Sequence, residues 1–302
     1  MNTEEVIRRR ITDLENELIR NQLLLNCLDQ TPYPREIGGI CHVSYLASAN
    51  KRILFLGENH MPSSGYTAFD LLKFYVNRSP FYLDVFIECA EDSSSNVNTD
   101  SFSTLNKARH YFLNPPKSNT LPYKFYPFDP RVSLGFDKFF LPKNKKESHR
   151  VYALCEDLFS QFSNSDELKE FMIEQWNNHP MIVESRQKLN NKMMEGLVFK
   201  ILLPQINHPT REKFDRNWPI LSRGDEFQET WMYILRVISV LADWTCILGV
   251  LAAGGNCVVY AGDVHTTICS TFFKSIGFTP AVEITEQSCS NVLLPEIAPL
   301  FE

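Results

Sequence analysis

The sequence predicts an α/β protein: a mostly parallel central β-sheet flanked by helices, with a largely helical insertion and a long N-terminal helix. Three observations carry this. Short runs such as "RILFLG" (52–57), "LDVFIEC" (83–89) and "CVVYAG" (257–262) are nearly continuously apolar, as strands covered on both faces are. Helical runs separate them, the alternation that builds parallel sheets. From about residue 149 to 253 helical periodicity dominates, and then a strand pattern returns.

Taken in order, residues 3–29 read as one helix. Ile7, Ile11, Leu14, Leu18, Asn21, Leu25 and Leu28 follow alternating four- and three-residue steps, a heptad seam with a polar residue on it. Such a helix lies on its own domain or pairs with a second copy in a homodimer. "TPYP" (31–34) ends it, because proline and the residue before it resist helical backbone. "HVSYLA" (42–47) and "RILFLG" are strands, "YTAFDLLKFYVN" (66–77) a helix, and "LDVFIEC" a strand. "LNKARHYFL" (105–113) is a helix and "YKFYPFD" (123–129) a strand. Four helical runs follow, broken at Asn177–Pro180 and at Pro204–Pro219. The chain closes with "CVVYAG", the helix "TTICSTFFKSIG" (266–277) and "AVEIT" (281–285), an edge strand. Since the early and late strands share one sheet, the domain reading is a helix over 1–30. A single α/β domain spans 38–302, with its helical insertion at 149–223.

Composition excludes several partners. A net charge of −6 gives no pull toward nucleic acid. The short basic clusters Arg8-Arg9-Arg10 and Lys143, Lys145, Lys146 suit solvated faces. The 19 uncharged residues between Asp243 and Asp263 imitate a membrane span. Gly254-Gly255-Asn256 interrupts them, so a buried helix, a turn and a buried strand are expected instead. Eight cysteines carry no zinc-finger or CxxC spacing, and several lie in apolar runs as buried free thiols do. With no apolar leader in "MNTEEVIRRR", these features point to a reducing, cytoplasmic setting.

The chemistry-bearing residues cluster where strands end. "ILFLG" stops at Glu58 and His60, "DVFI" at Glu88, "KFYPF" at Asp129 with Arg131 two residues on, and "VVYAG" at Asp263 and His265. Carboxyl ends of parallel strands face one crevice, where ligands bind. Gly57 and Gly262 are expected to take positive φ, turn the chain sharply and admit a ligand. Imidazoles beside carboxylates suit base catalysis or a metal centre, and Arg131 suits an oxyanion. Asp243, in the apolar run "VISVLADWTCILGVLA", needs a partner, and Arg131 is the first choice. Singly, each has a structural reading: Asp129 can start a turn before Pro130, and Asp263 can bond its own loop backbone. His110, His149, His179 and His208 have no paired spacing and read as surface or structural.

The paired motifs "GENH" (57–60) and "GDVH" (262–265), with Glu88 in "FIEC" between them, resemble the superfamily of TIKI/TraB proteins, erythromycin esterases and ChaN-type proteins. "YPFDPR", "LADWT" and "YAGDVHT" further resemble a branch found in large DNA viruses, which would place the chain in host cytoplasm or a virion. TIKI-type members are metal-dependent proteases, erythromycin esterases cleave an ester, and ChaN-type members bind haem iron. The resemblance therefore implies hydrolysis of an amide or ester in a small-molecule or peptide substrate. A divalent metal would sit on His60, Glu88 and His265. The alternative is a crevice that binds haem or another small molecule, or a virus-structural protein, without turnover. Glu58 resembles the glutamate of the esterases' G-E-x-x-H, but the spacing here is one residue shorter.

Overall fold

The computed structural model describes residues 11, 12, 15, 36–59, 66–79, 82–89, 104–113, 123–130, 164–188, 225–285 and 291–293. His60, Arg131, His149 and His208 lie outside these residues, as do Asn21, the helix expected over 149–162, residues 189–203 of the helix expected over 183–203, and the break expected at Pro204–Pro219. Of the expected N-terminal helix, Ile11, Thr12 and Glu15 are described, and all three are helical.

The described chain forms β1 (Glu36–Gly38), β2 (Ile40–Ala47), β3 (Arg52–Glu58), α1 (Ala68–Arg78), β4 (Leu83–Ile87), α2 (Thr104–Leu113) and β5 (Tyr123–Pro127). It continues through α3 (Ser165–Asn177), α4 (Pro180–Lys188), α5 (Asp225–Ala252), β6 (Asn256–Gly262), α6 (Asp263–Ser275), β7 (Thr279–Thr285) and β8 (Asn291–Leu293). The protein is thus mixed α/β, as expected. It divides into two compact units, one of Met1–Ile87, Asn98–Tyr126 and Ala253–Glu302, the other of Glu88–Val97 and Pro127–Ala252.

The first unit is built on a six-stranded sheet in the order β5-β4-β6-β3-β2-β7. Its centre is parallel: β6 lies between β3 and β4 and pairs in parallel with both. The expected parallel sheet is therefore found at the centre, while β2 runs antiparallel to both β3 and β7. The tight turn between β2 and β3 reverses the chain, whereas β7, reached from β6 by a crossover through α6, runs the same way as β3 and β6 and so antiparallel to β2. Ser48 N–H donates to the Lys51 carbonyl at 2.8 Å in the turn between β2 and β3. Strand β7 is the edge strand that "AVEIT" suggests, and it is largely exposed. A separate two-stranded sheet pairs β1 with β8.

Parallel partners share a face of the sheet, so the register sorts the core. Ile53, Phe55 and Gly57 stand beside Cys257, Val259 and Ala261 on one face. Phe55 there meets Phe273 of α6, ring centroids 5.9 Å apart. Leu54, Leu56 and Glu58 stand beside Val258, Tyr260 and Gly262 on the other, the face that α2 covers through Thr104 and Leu105. All four aliphatic and aromatic side chains named on β3 are essentially fully buried. Each such burial contributes about 1.5–3 kcal/mol, so the β3–β6 centre is a strong hydrophobic anchor of the unit. Helix α1 starts with a capping box: the Thr67 hydroxyl accepts from Asp70 N–H, and the Asp70 carboxylate accepts from Thr67 N–H.

In the second unit α4 and α3 pack on α5. The predicted break at Asn177–Pro180 separates α3 from α4, and His179, buried there, donates its N–H to the Trp176 carbonyl at 2.9 Å. Trp176 Nε1 donates to Thr245 Oγ1 at 2.7 Å, joining α3 to α5. No helix among the described residues is long and apolar enough to cross a membrane, and the Gly254–Gly255 bend ends α5 as predicted. Cys89, Cys246, Cys257 and Cys269 are buried free thiols, as their contexts suggest. Cys41 corrects the general reading, for it is disulfide-bonded.

The glycines depart from expectation. Positive φ occurs at Gly39 and Gly277, not at Gly57 or Gly262; Gly262 has φ −59°. Gly57 is glycine for space. A Cβ there would overlap Thr266 Oγ1 and lie 3.0 Å from both the Asp263 Cα and the His42 Cβ. Helix α6 thus sits directly on the end of β3. Gly57→Ala should destabilise the protein by about 1–3 kcal/mol through overpacking, outweighing the sub-kilocalorie gain of a stiffer unfolded chain. Urea unfolding measures this, and an unchanged midpoint would refute the close approach.

Candidate functional site

The two Gly-acid-x-His motifs end side by side. Strands β3 and β6 are hydrogen-bonded neighbours, and Glu58 stands opposite Gly262. The acid of the first motif therefore faces the glycine of the second. Because β4 is also parallel to β6, all three strands leave the sheet at one edge, at Glu58, Gly262 and Ile87. Such an edge is where open α/β sheets hold ligands.

Beyond Gly262 the expected loop is absent. The helix predicted from Thr266 begins three residues earlier, at Asp263, with Gly262 as its N-cap. His265 consequently lies in the first turn of α6, half-buried, beside Val264, which is 64 % exposed. Asp263 is in that turn as well, and its Oδ1 accepts from Thr267 Oγ1 at 3.4 Å. The turn does not use a side chain to cap itself, so first-turn N–H groups and the positive end of the helix face the strand edge.

Glu58 is where the structure says most about the motif. It is 2 % exposed, so its carboxylate requires donors. The hydroxyls of Thr104 and Tyr260 both donate to Oε2, and the Leu105 N–H donates to Oε1 at 3.2 Å. A residue distant in sequence thus supplies the acceptor that the first turn of α2 needs, where negative charge is favoured. Burial, then the Glu58 charge and hydrogen bond, push the Tyr260 phenol well above its ordinary range, which keeps it a donor. Glu58 is held as an anchor between β3, β6 and α2, and not presented as a base.

The sheet's other face carries a second polar contact that the sequence reading did not single out. His42 of β2 stands opposite Gly57 and is 2 % exposed. Its Nδ1 lies 3.1 Å from Thr266 Oγ1, and that hydroxyl donates to the Asp263 carbonyl at 3.0 Å. A histidine inside the apolar run "ICHVSYLA", and a tyrosine inside "CVVYAG", were the available signals, since buried polar side chains must find partners.

The remaining expected residues belong to the second unit. Glu88 is buried, Asp129 is half-buried and its N–H donates to the Cys89 carbonyl at 3.1 Å, and Asp243 is fully buried within α5. Arg131, expected beside Asp243, lies outside the described residues. His110 is exposed on α2, in keeping with a surface role. Among the described residues no group of three His, Cys, Asp or Glu side chains is arranged to hold a metal; the expected metal set includes His60, which lies outside them. Comparisons with protein-family models, with curated proteins and with solved structures find no match.

Burial holds the His42 imidazole below its ordinary value of 6.5, ahead of the opposing pull of Asp263 and Glu283, while Lys274 lowers it further. The unfolded chain therefore takes up a proton near pH 6.5 that the folded chain resists until lower pH. Stability from this group is complete above 6.5 and is lost as the pH falls through the folded value. Urea unfolding of wild type and His42→Gln at pH 7.5 and 5.5 should show the larger acid loss in the wild type. Equal losses would contradict the assignment.

Proposed function

We propose that the chain is a hydrolase of an amide or ester bond in a small-molecule or peptide substrate, with its reacting groups where β3 and β6 end. The observation that carries this is the parallel pairing of β3 with β6, Glu58 opposite Gly262. It brings the backbones that lead into His60 and His265 to one edge of one sheet. His265, half-buried in a helix first turn, suits proton transfer because imidazole titrates near neutrality. In the proposed reaction His265 takes a proton from the attacking water as the water oxygen bonds to the carbonyl carbon. It returns the proton to the departing nitrogen or oxygen as that bond breaks. First-turn N–H groups of α6 offer donors to the oxyanion in between.

The resemblance adds His60 as a second imidazole and a divalent metal as cofactor, which would polarise the carbonyl or acidify water. Arg131 is retained as a proposed oxyanion group because a guanidinium suits a developing negative charge. A second reading, ligand binding without turnover, is favoured by one observation: both oxygens of Glu58 are engaged by Tyr260, Thr104 and Leu105. The acid of the first motif is then a scaffold group, and the strand edge serves to hold a ligand.

A panel of ester and amide substrates, assayed with added divalent metals, separates the two. Hydrolysis by the wild type that falls by about 10²–10⁴-fold in His265→Ala and in His60→Ala, with the unfolding midpoint retained, is the expected result. Turnover unchanged in both variants would overturn the hydrolase reading.

A further inference from the structure

We propose that His42 is a positioning residue for His265, acting through Thr266 and the first turn of α6; this rests on the reading of His265 as a reacting group. His42 belongs to neither motif. It sits on β2, one strand away from β3 and on the face that α6 covers. A buried imidazole is costly unless it is hydrogen-bonded, and an aliphatic side chain would fill the same place at no such cost. What the imidazole adds is its bond to Thr266.

That bond falls at a sensitive place. Thr266 follows His265 directly, and its hydroxyl reaches back to the Asp263 carbonyl at 3.0 Å. Asp263 and Thr266 therefore bracket His265 within one tied turn. Successive residues of a helix are rotated by about 100° about its axis, so pinning Thr266 to the sheet fixes the direction in which His265 leaves the helix. Thr266 is also stiff at χ1, being β-branched, and is fully buried. Gly57 removes the remaining slack, since it lets Asp263 and Thr266 close onto β3 against His42. The Thr266 hydroxyl has carbonyl acceptors in Asp263 at 3.0 Å and Gly262 at 3.4 Å, so the proposed donor of the bond from His42 is Nδ1–H, which leaves Nε2 bare. The groups that share this pocket electrostatically are Asp263 and Lys274 of α6 and Glu283 of β7.

Histidine side-chain NMR of the free protein tests this without any substrate, so its outcome is separate from that of the hydrolase reading. In Thr266→Val the ring signal of His265 should move by more than a linewidth. In Thr266→Ser, which keeps the hydroxyl, it should return to the wild-type position, and the His110 signal on α2 should stay in place throughout. A merely structural role would lower the unfolding midpoint of Thr266→Val and leave the His265 signal where it was; that result overturns the proposal. Should Thr266→Val not fold, the wild type alone decides: at neutral pH the long-range nitrogen spectrum should show His42 protonated on Nδ1, and protonation on Nε2 overturns it.

Discussion

The parallel pairing of β3 with β6 is the constraint on which the rest of the first unit depends. Five apolar positions on β3, from Ile53 to Leu56 with Gly57, face their counterparts on β6 across an unbroken ladder. A one-residue slip would turn every side chain to the opposite face, exchanging Gly57 with Glu58. Helix α6 would then meet a carboxylate, and the first turn of α2 would meet a glycine. Neither arrangement satisfies the groups involved, so the polar ends of the strands enforce the register that the apolar middle makes strong.

Seen this way, the first two letters of "GENH" are packing instructions. Glycine admits α6 on one face of the sheet, and glutamate receives α2 on the other. Both helices are thereby fixed at the same edge, with the first turn of α6 presenting His265. Both oxygens of the acid that a motif reading nominates for chemistry are hydrogen-bonded, by Thr104, Leu105 and Tyr260, and Tyr260, held protonated by burial and by the Glu58 charge, completes the anchor. On the far side His42 and Thr266 tie the same turn to β2.

Much of the fold was legible in the sequence because buried strands announce themselves by apolar runs. "RILFLG", "LDVFIEC" and "CVVYAG" became β3, β4 and β6 within a residue or two, and "AVEIT" became an edge strand. The start of α6 was misjudged for a physical reason. Asp263, Val264 and His265 were read as a loop because Gly262 was taken to turn the chain, whereas an extended Gly262 passes directly into helix. The role of Gly57 was hidden similarly: close approach of a second element is a tertiary fact that local pattern does not encode. The Glu58–Tyr260–Thr104 cluster joins residues from three elements, and the donors became identifiable only once strand order was known. Tyr260 nevertheless carried a legible hint, as a phenol inside a fully apolar strand demands an acceptor.

The register of β3 against β6 is most directly read by interstrand nuclear Overhauser contacts in the free protein. Contacts linking Gly57 with Ala261 and Glu58 with Gly262 are the expected pattern. A ladder shifted by one residue, or β3 contacts to β4 in place of β6, would separate the two motifs or bury them on the wrong faces and contradict the shared edge.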